Sequence, residues 1–351
     1  MYPFQGEKSF VANRWYVAAV SDEITRTPIE RTLLDLPVLL YRAEDGSPVA
    51  MYGLCPHRYF PLVKGQLVGD AIQCGYHGFT FDKSGKCVFI PTQNSGSGYT
   101  QRTFPVVEKA PFVWIWMGDA ELADESLIVD YAAIGLSQPG WTHPRPIHLH
   151  LKGRYQLLID NLMDLTHVAF IHKQIGGSEA FANAKVIYEE ADGCFKATRP
   201  LAMPWTSYHD FLYGPEARFE GMSQTESRTV FFGPEYITTS GPVTVSIEGY
   251  DTVPEGLGRL FFHHVITPET EHSTHYFGTT SREFRLDDPA LDEMLRESDL
   301  DVRTQDVEAI DAIEARLEKA AARERELLVR SDTAAVKVRG IIQAMLDREA
   351  A

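Results

Sequence analysis

Two groups of residues in this chain have the types and spacings of metal chemistry. The first lies in the stretch IDNLMDLTHVAFIH, Ile159 to His172, which sets Asn161, Asp164, His167 and His172 among apolar neighbours. Its pattern reads as a buried helix. Polar side chains buried there must be paired or must bind something. Asp164 and His167 are three apart and so are helix-face neighbours. His167 and His172 are five apart. On a regular helix that is about 140°, too far to share one ion. If both hold a metal, the helix is bulged or broken between them, an irregularity that favours functional sites. Two histidines and one carboxylate with open positions form the facial triad of non-haem Fe(II) oxygen chemistry. The bland alternative is two core histidines bonded to their neighbours. In the metal reading, the carboxylate and the electrons come from elsewhere.

The second group is Cys55-Pro56-His57, then 16 residues, then Cys74-Gly75-Tyr76-His77. Each loop offers one thiolate and one imidazole. A structural zinc site accepts that donor list. So does a Rieske [2Fe–2S] cluster, in which two imidazoles replace thiolates on one iron. Zinc fingers usually pair Cys with Cys and His with His, so the alternation here resembles the Rieske pattern. Phe60 and Tyr76 stand where high-potential Rieske proteins have extra cysteines, which suggests a lower-potential cluster. Cys87 and Cys194 have no partner motif and read as small buried hydrophobes.

A third metal ligand can be sought in the C-terminal part. From Pro289 to Arg330 the chain is charged, nearly free of glycine, and reads as helix. At about 100° per residue, Val302, Ile310, Ile313, Leu317 and Ala320 make one apolar stripe, and Asp306 falls inside it. A carboxylate in a core-facing stripe needs a counter-charge. Iron held by His167 and His172 would supply it. An Asp paired with an Arg, or a different helix register, is the alternative.

The elements that must position these residues divide the chain into residues 1–118, a 119–140 linker and residues 141–351. The first region carries short β segments at Trp15–Val20, Arg31–Tyr41, Val49–Leu54, Gly69–Gln73, Phe79–Phe81 and Phe112–Met117, a small all-β sandwich. The polar stretch GDAELADESL and the turn residues of YAAIGLSQPG make the join. In the second region His148 and His150 share one face of an expected strand. A glycine loop, QIGGSE (174–179), follows the buried helix. Alternating segments at Lys185–Tyr188, Thr229–Phe232, Val243–Tyr250, Arg259–Thr267 and Tyr276–Thr280 then predict an antiparallel sheet. His263 and His264 point to opposite faces, so at most one lines a pocket. The fold class is α+β.

Composition limits the partners. The 351 residues carry a formal net charge of -16, which argues against nucleic acid or anionic membrane. No signal peptide and no apolar run of about 20 residues is seen, so a cytoplasmic setting is expected.

Both halves together resemble the oxygenase component of Rieske non-haem iron oxygenases. Within that family they are most like the vanillate O-demethylase oxygenase branch, to which dicamba monooxygenase is related. CPHR, CGYHG, IDNLMDLTH, ITPET and the pair Gln305–Asp306 carry the resemblance. It implies that Cys55, His57, Cys74 and His77 hold the [2Fe–2S] cluster, and that His167, His172 and Asp306 hold mononuclear Fe(II). It makes Asp164 a bridging carboxylate between a cluster histidine of one subunit and the iron site of its neighbour, with Asn161 near the iron. It further implies a helix-grip catalytic domain, a head-to-tail homotrimer, and a separate flavin and iron–sulfur reductase. The expected reaction is oxidative O-demethylation of a methoxylated aromatic acid such as vanillate, releasing formaldehyde. Other monooxygenation, N-demethylation or ring hydroxylation is the nearest alternative, and a non-catalytic electron carrier a remote one. Tyr59 and Phe60 depart from the small residues that relatives often have after CPHR.

Overall fold

The computed structural model describes residues 2–175, 177–191, 193–214, 219–247, 258–321 and 325–350. They form two compact units. The smaller comprises Ala12–Ile128 and Thr267–Glu271, the larger Met1–Val11, Val129–Ile266 and His272–Ala351.

The smaller unit is built of short strands: β1 (Trp15–Val20), β2 (Ile29–Leu33), β3 (Leu36–Arg42), β4 (Pro48–Tyr52), β5 (Gln66–Val68), β6 (Ala71–Gln73), β7 (Thr80–Phe81), β8 (Cys87–Phe89), β9 (Val106–Lys109) and β10 (Phe112–Trp116). They make three small sheets, ordered β1-β10-β9, β2-β3-β4 and β5-β6-β7-β8. The single strand expected over Arg31–Tyr41 is instead a hairpin. Leu34 and Asp35 take φ of 50° and 63° at its turn. Their amides donate to the Pro268 and Glu269 carbonyls, each at 2.9 Å. A left-handed turn made of Leu and Asp has no glycine to announce it.

The unit boundaries also differ from the expected ones. Residues 119–128 stay with the β unit because Trp15 Nε1 donates to the Asp124 carbonyl (2.8 Å) and the Asp119 amide donates to Asn13 Oδ1 (3.0 Å). Residues 2–11 belong to the larger unit: Phe4 and Val11 lie in its core, and the Gln5 amide donates to Gln343 Oε1.

The larger unit runs β11 (Ile147–Leu151), α1 (Tyr155–Met163), α2 (Val168–Ile171), α3 (Glu179–Asn183), β12 (Ile187–Ala191), β13 (Cys194–Pro204), α4 (Ser207–Tyr213), β14 (Met222–Gly233), β15 (Tyr236–Ile247), β16 (Leu260–Thr270), β17 (Ser273–Arg282), α5 (Pro289–Ala321) and α6 (Thr333–Ala350). One antiparallel sheet takes the order β11-β17-β16-β15-β14-β13-β12. Of the predicted strand Val243–Tyr250, residues 248–250 lie outside the described residues, as does Gly176 of the QIGGSE loop. On β13, Phe195, Ala197, Arg199, Leu201 and Met203 are buried in strict alternation, the period of a strand with one core face. The core joins that face to α1 (Leu158, Ile159, Leu162) and α6 (Val338, Ile342, Leu346).

The C-terminal helix is shorter than expected. α5 ends at Ala321, residues 322–324 lie outside the described residues, and 325–329 are not helical. Its buried face is also not the one expected. Ile313 is 48% exposed, and Ala320 is exposed. The buried line is Leu291, Leu295, Asp299, Arg303, Asp306 and Ile310, at spacings of four, four, four, three and four. Polar residues fill its middle, which hides it from a search for apolar stripes. Beyond that line, Arg154 pairs with Glu314 at 2.5 Å and docks α5 to the start of α1.

Candidate active site

α1 ends where Asp164 leaves helical geometry (φ -112°, ψ 96°). Its Oδ1 accepts the Thr166 amide at 2.9 Å, capping one 3-10 turn, Leu165–His167. One turn of α-helix follows, and the chain leaves it again at His172 (φ -98°, ψ 51°). The irregularity therefore brackets the two histidines rather than falling between them. Their rings stand 5.3 Å apart at 78°.

α5 brings Asp306 to the same point. The ligand atoms of His167, His172 and Asp306 all lie within 4.8 Å of one another. His172 Nε2 is 3.1 Å from Asp306 Oδ1, and His167 Nε2 is 3.4 Å from it. The other ring nitrogens fix the tautomers. His167 Nδ1–H donates to the Asp164 carbonyl, and His172 Nδ1–H donates to Gln305 Oε1, both at 2.7 Å. Each Nε2 then turns a lone pair toward the carboxylate, and a cation suits three such converging atoms. This donor set fits Fe(II). Asn161 Nδ2 donates to Asp306 Oδ1 at 3.0 Å and steadies the carboxylate. Burial holds His167 below the ordinary histidine range, against the pull of Asp306. Burial also works to lower His172, but its contacts with Asp306 and Gln305 outweigh this and raise it. The Asp164 carbonyl, not its carboxylate, touches His167.

In the small unit, Cys55–Phe60 and Cys74–Phe79 are twin loops. The Cys55 amide donates to the Phe60 carbonyl (2.9 Å) and the Tyr59 amide to the Cys55 carbonyl (2.7 Å). The Cys74 amide donates to Phe79 (2.8 Å) and the Gly78 amide to Cys74 (3.0 Å). Tyr59 and Gly78 occupy the same position with φ of 55° and 72°. Tyr59, the departure noted in the sequence, thus holds a backbone shape that suits glycine. The His57 and His77 rings lie 4.6 Å apart, and both thiols are free and buried. Burial and the neighbouring Cys74 thiol push Cys55 up to about 11. The four donors do not gather as a one-ion site. Two thiols and two imidazoles spread in this way fit a two-iron cluster better than one zinc.

A cavity of about 210 Å³ opens on His167, His172 and Asp306. Leu162, Val168, Ile175, Met203 and Phe262 make it mainly apolar. One wall is polar and had not been expected. Arg303 Nε lies 2.9 Å from Asp299 Oδ1, and Nη2 donates to the His263 carbonyl at 3.0 Å. Nη1 donates to His264 Nδ1 at 3.1 Å, so the His264 proton is on Nε2 and goes to Thr239 Oγ1 at 2.9 Å. The guanidinium lies against Gly278, where a Cβ would stand 2.4 Å from it. Of the two adjacent histidines, His264 lines the cavity, while His263 bonds Tyr236 and Ser281. The readable signal for Asp299 and Arg303 was their spacing from Asp306 along one helix face. His148 Nε2 lies 3.1 Å from His275 Nδ1 on β17, and neither His148 nor His150 lines the cavity. Cys87 is buried in the small unit's core, and Cys194 is half-buried.

Residues 151–348 match the vanillate O-demethylase oxygenase C-terminal domain, and residues 14–108 match the Rieske [2Fe–2S] domain. The chain belongs to the Rieske oxygenases. This oxygenase is 35% identical to the dicamba O-demethylase oxygenase component of Stenotrophomonas maltophilia, over 98% of this chain and 100% of that one. It is 38% identical to the toluene-4-sulfonate monooxygenase iron–sulfur subunit TsaM1 of Comamonas testosteroni, covering 82% and 83% of the two chains. It is 29% identical to the vanillate O-demethylase oxygenase subunit of Pseudomonas sp. (strain HR199 / DSM 7063), over 97% and 96%. Dicamba monooxygenase bound to 3,6-dichlorosalicylic acid superposes with a TM-score of 0.87 at 33% identity, over 97% and 99%. The Rieske oxygenase therefore carries a [2Fe–2S] cluster and mononuclear non-haem iron. It is the oxygenase component of a demethylase or monooxygenase system and requires a separate reductase. Oxidative demethylation fits both this site and the dicamba and vanillate relatives. No helix among the described residues is long and apolar enough to cross a membrane.

Proposed function

We propose that this oxygenase O-demethylates a methoxylated aromatic acid of the vanillate class. The observation that carries the reading is the triad of His167, His172 and Asp306 opening on a mainly apolar cavity of about 210 Å³. In this reading His167, His172 and Asp306 hold Fe(II), and Cys55, Cys74, His57 and His77 hold the cluster. When bound, the two metal groups supply electrons and O2 activation. The chain's own residues do the rest. Gln305 and the Asp164 carbonyl keep each imidazole in its metal-binding tautomer. Asn161 orients the Asp306 carboxylate. Leu162, Met203 and Phe262 take up the aromatic ring and exclude water. Hydroxylation of the methyl C–H gives a hemiacetal that collapses to a phenol and formaldehyde. One O2, two electrons and two protons are consumed, and the second oxygen leaves as water.

Asp164 is the bridging carboxylate of this reading, linking a cluster histidine of one subunit to the iron of the next in a head-to-tail trimer. Its carboxylate is half-buried and accepts the Thr166 amide, while its backbone carbonyl holds the His167 ring, and this placement one turn from His167 supports that role. A flavin and iron–sulfur reductase is the electron donor. A cytoplasmic setting suits four free cysteines and a supply of NAD(P)H. The relation to TsaM1 favours, as a second reading, another monooxygenation of an aromatic compound.

The test supplies the iron-loaded protein with O2, NADH, a compatible reductase and a panel of methoxylated aromatic acids. Formaldehyde equal to NADH consumed is expected. NADH and O2 consumption without formaldehyde moves the chemistry to the second reading. Asp164→Asn is expected to keep both metals yet lose most turnover, and full activity in that variant removes the bridging role.

A further inference from the structure

One buried charge has no part in the chemistry described so far. Arg199 stands on the core face of β13, between Ala197 and Leu201, and is 3% exposed. Its guanidinium makes two hydrogen bonds among the described residues, neither to a carboxylate. Nη2 donates to the Met163 carbonyl at 2.7 Å, and Nη1 to Thr229 Oγ1 at 3.3 Å. Burial pulls Arg199 below the ordinary arginine range, and Asp164 is the carboxylate that opposes this. An arginine keeps its proton even so, and a buried cation without a carboxylate partner is costly. The fold bears that cost at one place, the carbonyl end of α1. Met163 is the last residue of that helix, where the final carbonyls lack intrahelical partners and form the negative end of the dipole. The next residue, Asp164, leaves helical geometry, and its carbonyl takes His167 Nδ1–H at 2.7 Å. The carbonyl that Arg199 grips and the carbonyl that sets the His167 ring thus belong to consecutive residues.

We propose that Arg199 is a positioning residue for the mononuclear iron site. By holding the Met163 carbonyl from the sheet, it fixes where the chain leaves α1, and so the direction of the Asp164 carbonyl and of the His167 imidazole. The inference rests on the reading of His167 as an iron ligand. A cation suits this place because the end of α1 and Asp164 both put negative charge there. Thr229 on β14 holds the other arm of the fork, so two strands of the sheet set the guanidinium plane. His167 ends a single 3-10 turn, and the sheet gives that turn a fixed reference.

The test is the Fe(II) affinity of the full protein, measured by competition with a chelator in the absence of substrate and O2. The variants are Arg199→Met, Arg199→Lys and His167→Ala. Arg199→Met removes the fork and its charge, and iron is expected to be held about tenfold more weakly. The cluster's visible spectrum and the melting temperature are expected to stay close to wild type, because removing an unpaired buried charge offsets the two hydrogen bonds lost. Arg199→Lys keeps the charge and a donor for Met163, and is expected to restore affinity to within about threefold of wild type. A merely structural arginine gives another pattern: a lowered melting temperature, with iron bound as tightly as in wild type. That pattern overturns the proposal, and so does iron loss that Arg199→Lys does not restore. Should Arg199→Met not fold, Arg199→Gln, which keeps a donor without the charge, decides by the same readouts. Loss of the fold in both also overturns the proposal. Iron kept by His167→Ala removes the ligand reading itself. Iron lost there but kept in Arg199→Met removes the role of Arg199 alone.

Discussion

In the small unit, four candidate metal donors come from two loops that share one backbone pattern, and each loop closes on itself through two hydrogen bonds. In the large unit, three donors come from a broken helix and from α5, and the tautomer of His172 depends on Gln305, 133 residues away. The first region carries its geometry in a few consecutive residues. The second obtains its geometry from helix packing. A locally built site tolerates distant change, whereas an assembled one can be retuned, or lost, from far away.

The sharpest way to separate the two is to remove one ligand from each. Asp306→Ala is expected to lower mononuclear iron by more than about tenfold while the cluster's visible absorbance stays. Cys74→Ser is expected to bleach the cluster and leave the iron triad's occupancy. Metal analysis with a visible spectrum checks both, and joint loss in either variant breaks the comparison.

A smaller effect tests the dependence on packing. Gln305→Leu keeps every ligand but frees the His172 ring, and iron affinity is expected to fall about 10- to 100-fold. Competition with a chelator measures it.

Next comes the joint between α5 and α1. Arg154 and Glu314 are both largely buried. Burial alone would raise Glu314, but Arg154 and His272 hold it down at about 2, against an ordinary 4.5. A depressed carboxylate stabilises the fold above its unfolded value, and that stability fades as pH falls from about 4.5 toward 2. Glu314→Gln is expected to cost about 3 kcal/mol at pH 7 and progressively less below about pH 4.5. Denaturant melts across pH measure this, and a pH-independent deficit contradicts it.

The smallest effect distinguishes the twin loops. Gly78→Ala is expected to cost about 1–2 kcal/mol, from its left-handed backbone. A Cβ there would also stand 2.9 Å from Pro91 Cγ. Tyr59→Gly, at the matching position, is expected to be neutral or to stabilise by about 0.5 kcal/mol. Thermal melts of the two variants give the comparison.

What was legible in the chain follows the same division. CPHR and CGYHG announce their loops because ligand and turn are contiguous. The sequence also pointed to His167, His172 and Asp306, which the fold brings together, the last because one carboxylate stood among apolar residues. The stripe expected around Asp306 is only partly buried, since Ile313 and Ala320 are exposed. Asp299 and Arg303 escaped because a buried ion pair looks like two surface residues until its neighbours are known. The Leu34–Asp35 turn escaped because no residue type marks it. Helix α6 had a visible signal in Ala334, Val338, Ile342 and Leu346, spaced by four, which periodicity alone could have used.

The core of the large unit joins Phe4 and Val11 to Val338, Ile342 and Leu346. During synthesis that core cannot close until α6 has left the ribosome. Residues 12–128, with both twin loops, emerge long before then, and domains form in the order in which they emerge. Cys55, His57, Cys74 and His77 are therefore translated well before the helix that completes the large unit's core, although their own unit is finished only when Thr267–Glu271 follows.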